Sequence, residues 1–223
     1  MPFDHNDHYH RLISRQIPHR AGRALDVGCG TGAFAHRLAA RGLTVEAVDP
    51  SAEMIAAARR RTPAERRSPA ERRTPVAGRP AVDGPRFRRA DITRTELSPA
   101  GYDVITCLAS LHHVPFAPTL GRLRDALAPG GVLVVLGCYA EWTVTDHAWS
   151  LAALPVNATA RVAVAAGERL RGVPSQPPAP PVRAPELSLA QVRGTAATLL
   201  PGARVRRLLL WRYLLVHHAP RVP

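Results

Sequence analysis

Three groups of residues carry the chemistry open to this chain. The first is Asp26-Val27-Gly28-Cys29-Gly30-Thr31-Gly32, a carboxylate followed by glycines at alternate positions. Without Cβ atoms, Gly28, Gly30 and Gly32 allow a ligand to approach the main chain closely, and the N–H groups of a helix beginning there offer donors to a polar or anionic group. The second is Asp49, which closes the strand-like run Leu43 to Val48 with a hydrogen-bond acceptor about twenty residues beyond the glycines. The third is His112-His113, whose imidazoles titrate near neutral pH and are suited to taking a proton. A further polar cluster, Asp4-His5-Asn6-Asp7-His8-Tyr9-His10, opens the chain; helical spacing brings His5 near His8 but gives no four-ligand metal set.

Stepping outward, each group sits where a strand hands over to a turn. Ala24 to Val27 reads as a short buried strand and Ala33 to Ala40 has the apolar spacing of a helix, so the glycines join strand to helix. Leu43 to Asp49 is a second strand, and Pro50-Ser51-Ala52-Glu53-Met54 starts a helix with Ser51 as cap. Arg86 to Ile92 reads as a third strand and Tyr102 to Leu108 as a fourth, followed by Ala109-Ser110-Leu111-His112-His113-Val114. Thr119 to Leu127 fits a helix ended by Pro129, and Leu127-Ala128-Pro129-Gly130-Gly131 leads into a fifth strand, Val132 to Cys138. After a last helix from Leu189 to Leu200, capped by Ser188, two strand-like runs, Ala203 to Trp211 and Tyr213 to His218, form a terminal hairpin.

Gly28 to Ala33 by itself also satisfies the dinucleotide pattern Gly-x-Gly-x-x-Gly/Ala, and an acid at Asp49 is shared with proteins that bind nicotinamide dinucleotides. The longer series Asp26-x-Gly28-x-Gly30-x-Gly32, Asp49, Ala90-Asp91-Ile92, Leu111-His112-His113-Val114 and Leu127-x-Pro129-Gly130-Gly131, in that order, resembles the class I S-adenosylmethionine (SAM) dependent methyltransferases, with the small-molecule subgroup the nearest likeness. The resemblance implies a Rossmann-like α/β fold: a seven-stranded, mostly parallel sheet with an antiparallel C-terminal hairpin and helices on both faces. It implies SAM as cofactor and a cofactor site built from Asp26, Gly28, Cys29, Gly30, Gly32, Asp49, Pro50, Met54, Asp91, Ile92, Leu108 and Ala109. Asp49 would accept from the ribose hydroxyls, and Asp91 with a backbone N–H would hold the adenine. In the family a leading helix folds over the cofactor, which points to Tyr9 and His10. A general base is needed only where the acceptor must lose a proton; His112 is the candidate, against the alternative that both histidines orient their loop.

The whole chain, 1–223, is expected to form a single domain, with an N-terminal helical lid at 1–20 and two inserted stretches. Residues 62–85 hold a six-residue tandem, Thr62-Pro-Ala-Glu-Arg-Arg, Ser68-Pro-Ala-Glu-Arg-Arg and Thr74-Pro-Val-Ala-Gly-Arg, whose prolines prevent one continuous helix. Residues 139–186 lie past the fifth strand, over the carboxyl edge where open α/β sheets bind ligands. Trp142, His147, Trp149 and Asn157 there, with His113, are candidates for contact with the acceptor. The net charge is +13, yet every one of the 30 basic residues is arginine, and much of it sits beside acids or prolines instead of interleaving with aromatics. A nucleic-acid partner is therefore not expected, nor a membrane; a small-molecule acceptor is what the resemblance implies. The three cysteines, Cys29, Cys107 and Cys138, have no metal-like spacing, and the chain opens without a basic-then-apolar leader, which fits a cytoplasmic protein. Three rival readings stay open on residues alone: a nucleic-acid binding or modifying protein using the arginine loop, a SAM-binding subunit without turnover, and an NAD-dependent oxidoreductase.

Overall fold

The computed structural model describes residues 5–60, 84–140, 184–209 and 211–221. Helix α1 (His5–Ser14) leads into β1 (Arg23–Val27), α2 (Ala33–Ala40), β2 (Thr44–Asp49), α3 (Ala52–Arg60), β3 (Arg86–Arg89) and β4 (Tyr102–Leu108). A single 3-10 turn (Leu111–His113) and α4 (Phe116–Asp125) connect β4 to β5 (Leu127–Cys138); α5 (Leu189–Leu199), β6 (Arg204–Arg207) and β7 (Arg212–His218) complete the order. The strands form one seven-stranded sheet in the order β3-β2-β1-β4-β5-β7-β6. β1 to β5 run parallel, whereas β7 pairs antiparallel with both β5 and β6.

Alternation along the central strands sends side chains to two apolar layers. Leu25, Ile105, Leu133, Val135 and Leu215 meet Leu120 and Leu123 of α4 and Val192 and Ala196 of α5 on one face. Ala24, Val104, Val132, Val134, Leu136 and Leu214 meet Ile13 of α1 and Phe34 and Leu38 of α2 on the other. The leading helix is therefore part of a packed layer, and its carboxyl end is held by the Arg41 guanidinium, which donates to the Ser14 and Ile17 carbonyls. Two caps form as the sequence suggests. The Ser51 hydroxyl accepts from Met54 N–H at 3.2 Å, and Ser188 makes a reciprocal box with Gln191 at the head of α5.

Four boundaries differ from the sequence reading. α4 begins at Phe116 instead of Thr119 and stops at Asp125, while Leu127 already belongs to β5. Leu127 pairs with Tyr102, and the register slips between Tyr102 and Val104, so Pro129, which has no N–H to give, falls where the ladder is interrupted. β3 ends at Arg89 because Ala90 N–H turns to the Asp49 carbonyl, and the Asp91 carboxylate accepts from both Thr93 N–H (2.9 Å) and Thr93 hydroxyl (2.7 Å), closing a local turn. β6 is confined to Arg204–Arg207, as Leu208 N–H already bonds the Arg212 carbonyl at 2.8 Å across the hairpin end. No helix among the described residues is long and apolar enough to cross a membrane.

Candidate active site

The glycine turn lies at the carboxyl end of β1 and is fastened to β2. Gly28 and Cys29 N–H both donate to the Val48 carbonyl, at 2.8 and 3.1 Å. The Asp49 carboxylate completes the clamp, accepting from Gly30 N–H on one oxygen and Ser51 N–H on the other, each at 2.9 Å. All three glycines have positive φ, but their surroundings differ. A Cβ on Gly28 would stand 2.3 Å from Ser110 Cβ, and one on Gly32 would stand 2.6 Å from the Phe87 ring. A Cβ on Gly30 would meet nothing within 4 Å. Gly28 and Gly32 are thus required by the protein's own packing, whereas Gly30 faces open space.

Asp26 lies directly beneath this turn. It is 2% exposed, and one carboxylate oxygen accepts from the Thr106 hydroxyl of β4 at 2.7 Å while the other accepts no hydrogen bond. Burial lifts its pKa to about 6, against the Thr106 hydrogen bond and with a smaller push from the Asp49 charge. Burial and the charges of Asp26 and Asp49 also push the Cys29 thiol up, so it is no thiolate nucleophile at neutral pH. Pro50 and Met54 follow Asp49 in the same turn and helix start, with Met54 buried. Ile92 is buried, while Asp91 is exposed with its carboxylate engaged by Thr93. Leu108 ends β4, and Ala109 takes a positive φ of 52° with its N–H on the Leu136 carbonyl at 2.7 Å. His10 packs its ring 4.9 Å from that of Phe34, which sets it beside the first turn of α2. The Tyr9 hydroxyl donates to the Leu209 carbonyl at 2.8 Å, which ties α1 to the β6–β7 connection.

A second chamber opens beside the turn, on the face covered by α4 and α5. It is a cavity of about 360 Å³ whose wall includes His112, His113, Phe116, Val192, Glu186 and Tyr213. Ser110 joins the two regions. Its side chain packs against Gly28 and donates to the Val27 carbonyl at 2.7 Å, and the cavity wall begins at the next residue, Leu111. The His112 and His113 rings lie 4.0 Å apart, tilted by 38°. Trp142, His147, Trp149 and Asn157 lie outside the described residues, as does nearly all of the arginine-rich repeat. Among the described residues, no three His, Cys, Asp or Glu side chains come together as a metal site needs.

Sequence reasoning missed Thr106, Ser110, Gly137 and Tyr213. Gly137 sits in an otherwise apolar strand, opposite Tyr213, and the Tyr213 ring occupies the space a Cβ on Gly137 would need, at 2.2 Å. A lone glycine inside a buried strand is the signal that a neighbour approaches closely, and it was available in the sequence.

A family profile described as a methyltransferase domain matches residues 25–133. An uncharacterized methyltransferase of Mycobacterium tuberculosis is 34% identical over 221 residues, covering 98% of each chain. The chain belongs to the class I SAM-dependent methyltransferases. Within this family, a trans-aconitate 2-methyltransferase of M. tuberculosis is 35% identical over 133 residues, which is 58% of this chain and 42% of that one. The magnesium protoporphyrin IX methyltransferase of Synechocystis, solved with bound S-adenosylhomocysteine (SAH), shares the fold at a TM-score of 0.56 and 19% identity, over 97% of this chain and 82% of that one. SAM is the cofactor of this methyltransferase, and the turn fits it on two structural counts. Gly30 leaves open space above the main chain, and the unbonded oxygen of Asp26 is a buried acceptor suited to an ammonium group.

Proposed function

We propose that this methyltransferase modifies a small organic acceptor held in the cavity beside the glycine turn, with His112 as the group that takes the acceptor's proton. The observation that carries this reading is the continuity through Ser110, which packs on Gly28 while the residues just after it line the cavity. In the same reading Asp49 bonds the ribose hydroxyls and Asp26 the amino group. Gly28, Cys29, Gly30 and Gly32 pass beneath the cofactor. Pro50, Met54, Asp91, Ile92, Leu108 and Ala109 border it, and His10 and Tyr9 close it from α1.

Bound SAM supplies a sulfonium methyl group whose transfer neutralises charge, so the protein has little developing charge to stabilise. What these residues contribute is alignment, which supplies up to roughly 7–11 kcal/mol when reacting groups are well held. Ser110 fixes the distance between turn and cavity by bonding Val27. His112 adds to this only where the acceptor's proton leaves during transfer, typically about a hundredfold or more in rate. Incubating the protein with methyl-labelled SAM and extract of the source cell, then identifying the labelled product, tests the acceptor class. A labelled small molecule supports it and labelled nucleic acid overturns it. For His112→Ala, turnover is expected to fall about a hundredfold with SAH affinity unchanged; full turnover removes His112 from the chemistry.

A further inference from the structure

The wall of the cavity is chemically one-sided. Leu111, Val114, Phe116, Leu187 and Val192 make it largely apolar, and its charged member among the described residues is a carboxylate, Glu186. Arginine is the most abundant charged residue of the chain, yet among the described residues none lines this space. An anionic acceptor would find no guanidinium to pair with among the described lining residues, and burying a charge unpaired is costly.

His112, His113, Thr195 and Tyr213 add neutral polar groups to the wall, and Tyr213 is the one placed on the sheet. The residue is 2% exposed and lines the cavity, and no hydrogen bond to a described residue holds its hydroxyl. Its ring is seated across Gly137, on the next strand, because that position lacks a Cβ. A phenol hydroxyl that lines a cavity and is not taken up by the protein is available to donate to a ligand. Burial pushes its pKa up, so the group stays a proton donor throughout the neutral range.

We propose that the cavity is a subsite for an uncharged, ring-bearing acceptor with a hydroxyl group, and that Tyr213 fixes its orientation by hydrogen bonding to that group. This rests on the reading of the cavity as the acceptor chamber, and it goes further by assigning both a substrate class and a specificity residue. Its volume, at about 360 Å³, suits one or two fused rings. It also separates this protein from a site built for a polycarboxylate, the kind of acceptor named for the trans-aconitate relative.

The test is calorimetric binding of 2-naphthol and 2-naphthoate to the full chain with SAH present, at a pH where histidines are neutral. Binding of 2-naphthol is expected with a Kd below about 1 mM, and 2-naphthoate about tenfold weaker or more. Tyr213→Phe keeps the ring over Gly137 and should weaken 2-naphthol about five- to tenfold with SAH affinity unchanged. Thr195→Phe, which fills the cavity from α5, should abolish 2-naphthol binding, and it serves where the Tyr213 variant folds poorly. The proposal is overturned if 2-naphthol does not bind, if 2-naphthoate binds as well, if Tyr213→Phe binds like the parent, or if Thr195→Phe still binds. Failure of SAH alone to bind strikes the cofactor assignment instead, since the cavity is probed by a separate ligand.

Discussion

The two halves of the sheet's carboxyl rim are built on opposite plans. Around the glycine turn nearly every polar side chain is committed to the main chain. Asp49 holds Gly30 and Ser51, Ser110 holds Val27, and two N–H groups of the turn share the Val48 carbonyl. Around the cavity the walls are mainly apolar, with His112, His113, Glu186 and Thr195 among them, and the Tyr213 hydroxyl is held by no described residue. A ligand recognised through hydroxyls and an ammonium group demands a rigid backbone with donors and acceptors at fixed points, and the turn supplies one. An acceptor recognised by shape demands volume, and volume is set by side chains from distant elements, α4, α5, β5 and β7.

The sharpest way to break that contrast is through glycines, because Gly28 is packed against Ser110 while Gly30 faces open space and is proposed to lie under the cofactor. Gly28→Ala forces a Cβ to within 2.3 Å of Ser110 at a φ of 68°. A loss of about 3 kcal/mol in urea unfolding is expected from overpacking and strain together. Gly30→Ala meets no neighbour and should lose only about 1–2 kcal/mol from its backbone conformation, while SAH affinity falls about tenfold. Equal stability losses in the two variants would erase the distinction.

Asp49→Ala removes acceptors from the Gly30 and Ser51 N–H groups and, in the proposed site, from the ribose hydroxyls. SAH affinity is expected to fall about a hundredfold, the loss of roughly two charged hydrogen bonds, and stability by about 2 kcal/mol. Binding of 2-naphthol should change less than twofold, because no cavity residue leans on Asp49. A parallel loss at both sites would show the halves to be one unit.

Asp26→Asn tests the electrostatic side of the turn. In the folded protein Asp26 titrates near 6, above its usual value of 3.8, so between these values the folded state binds more protons than the unfolded chain. Its contribution to stability is therefore complete below about pH 4 and is lost as pH rises through 6. The stability of the Asn variant relative to the parent should improve by about 2–3 kcal/mol between pH 4 and pH 8. SAH affinity should fall about tenfold at neutral pH, and in the parent it should rise as pH increases through 6. A flat difference in stability across that range would mean that Asp26 is not penalised by burial.

The same contrast explains what was legible in the sequence. The succession of strands along the chain and the terminal hairpin follow from apolar runs and turn residues, the sheet architecture from the family resemblance, and Asp26, Asp49 and the glycines are visible because a close backbone approach leaves a local signature. Ser51 and Ser188 announced their helices for the same reason. Where local rules met long-range pairing, the reading slipped. Leu127 was given to a helix because Tyr102, twenty-five residues away, is what draws it into β5, and Asp91 shortened β3 by bonding Thr93. Tyr213 and Gly137 lie seventy-six residues apart and meet across the β5–β7 ladder. Such a pair has no local pattern, so the cavity had to be seen assembled.

The smallest effect is expected from the tandem repeat. Its ends join α3, which stops at Arg60, to β3, which begins at Arg86, and both contribute to the half of the sheet that carries the turn. Among the described residues, the hydrogen bonds that hold the turn come from β1, β2, β4 and the residues just after them. Loop-closure entropy changes slowly with length, by about 0.6 kcal/mol for a twofold change, so removing residues 66–75 alters the connection little. SAH affinity should stay within about twofold of the parent, and 2-naphthol binding should not change. A large loss of SAH binding would give the arginine-rich segment a place at the cofactor and make the turn only part of the donor half.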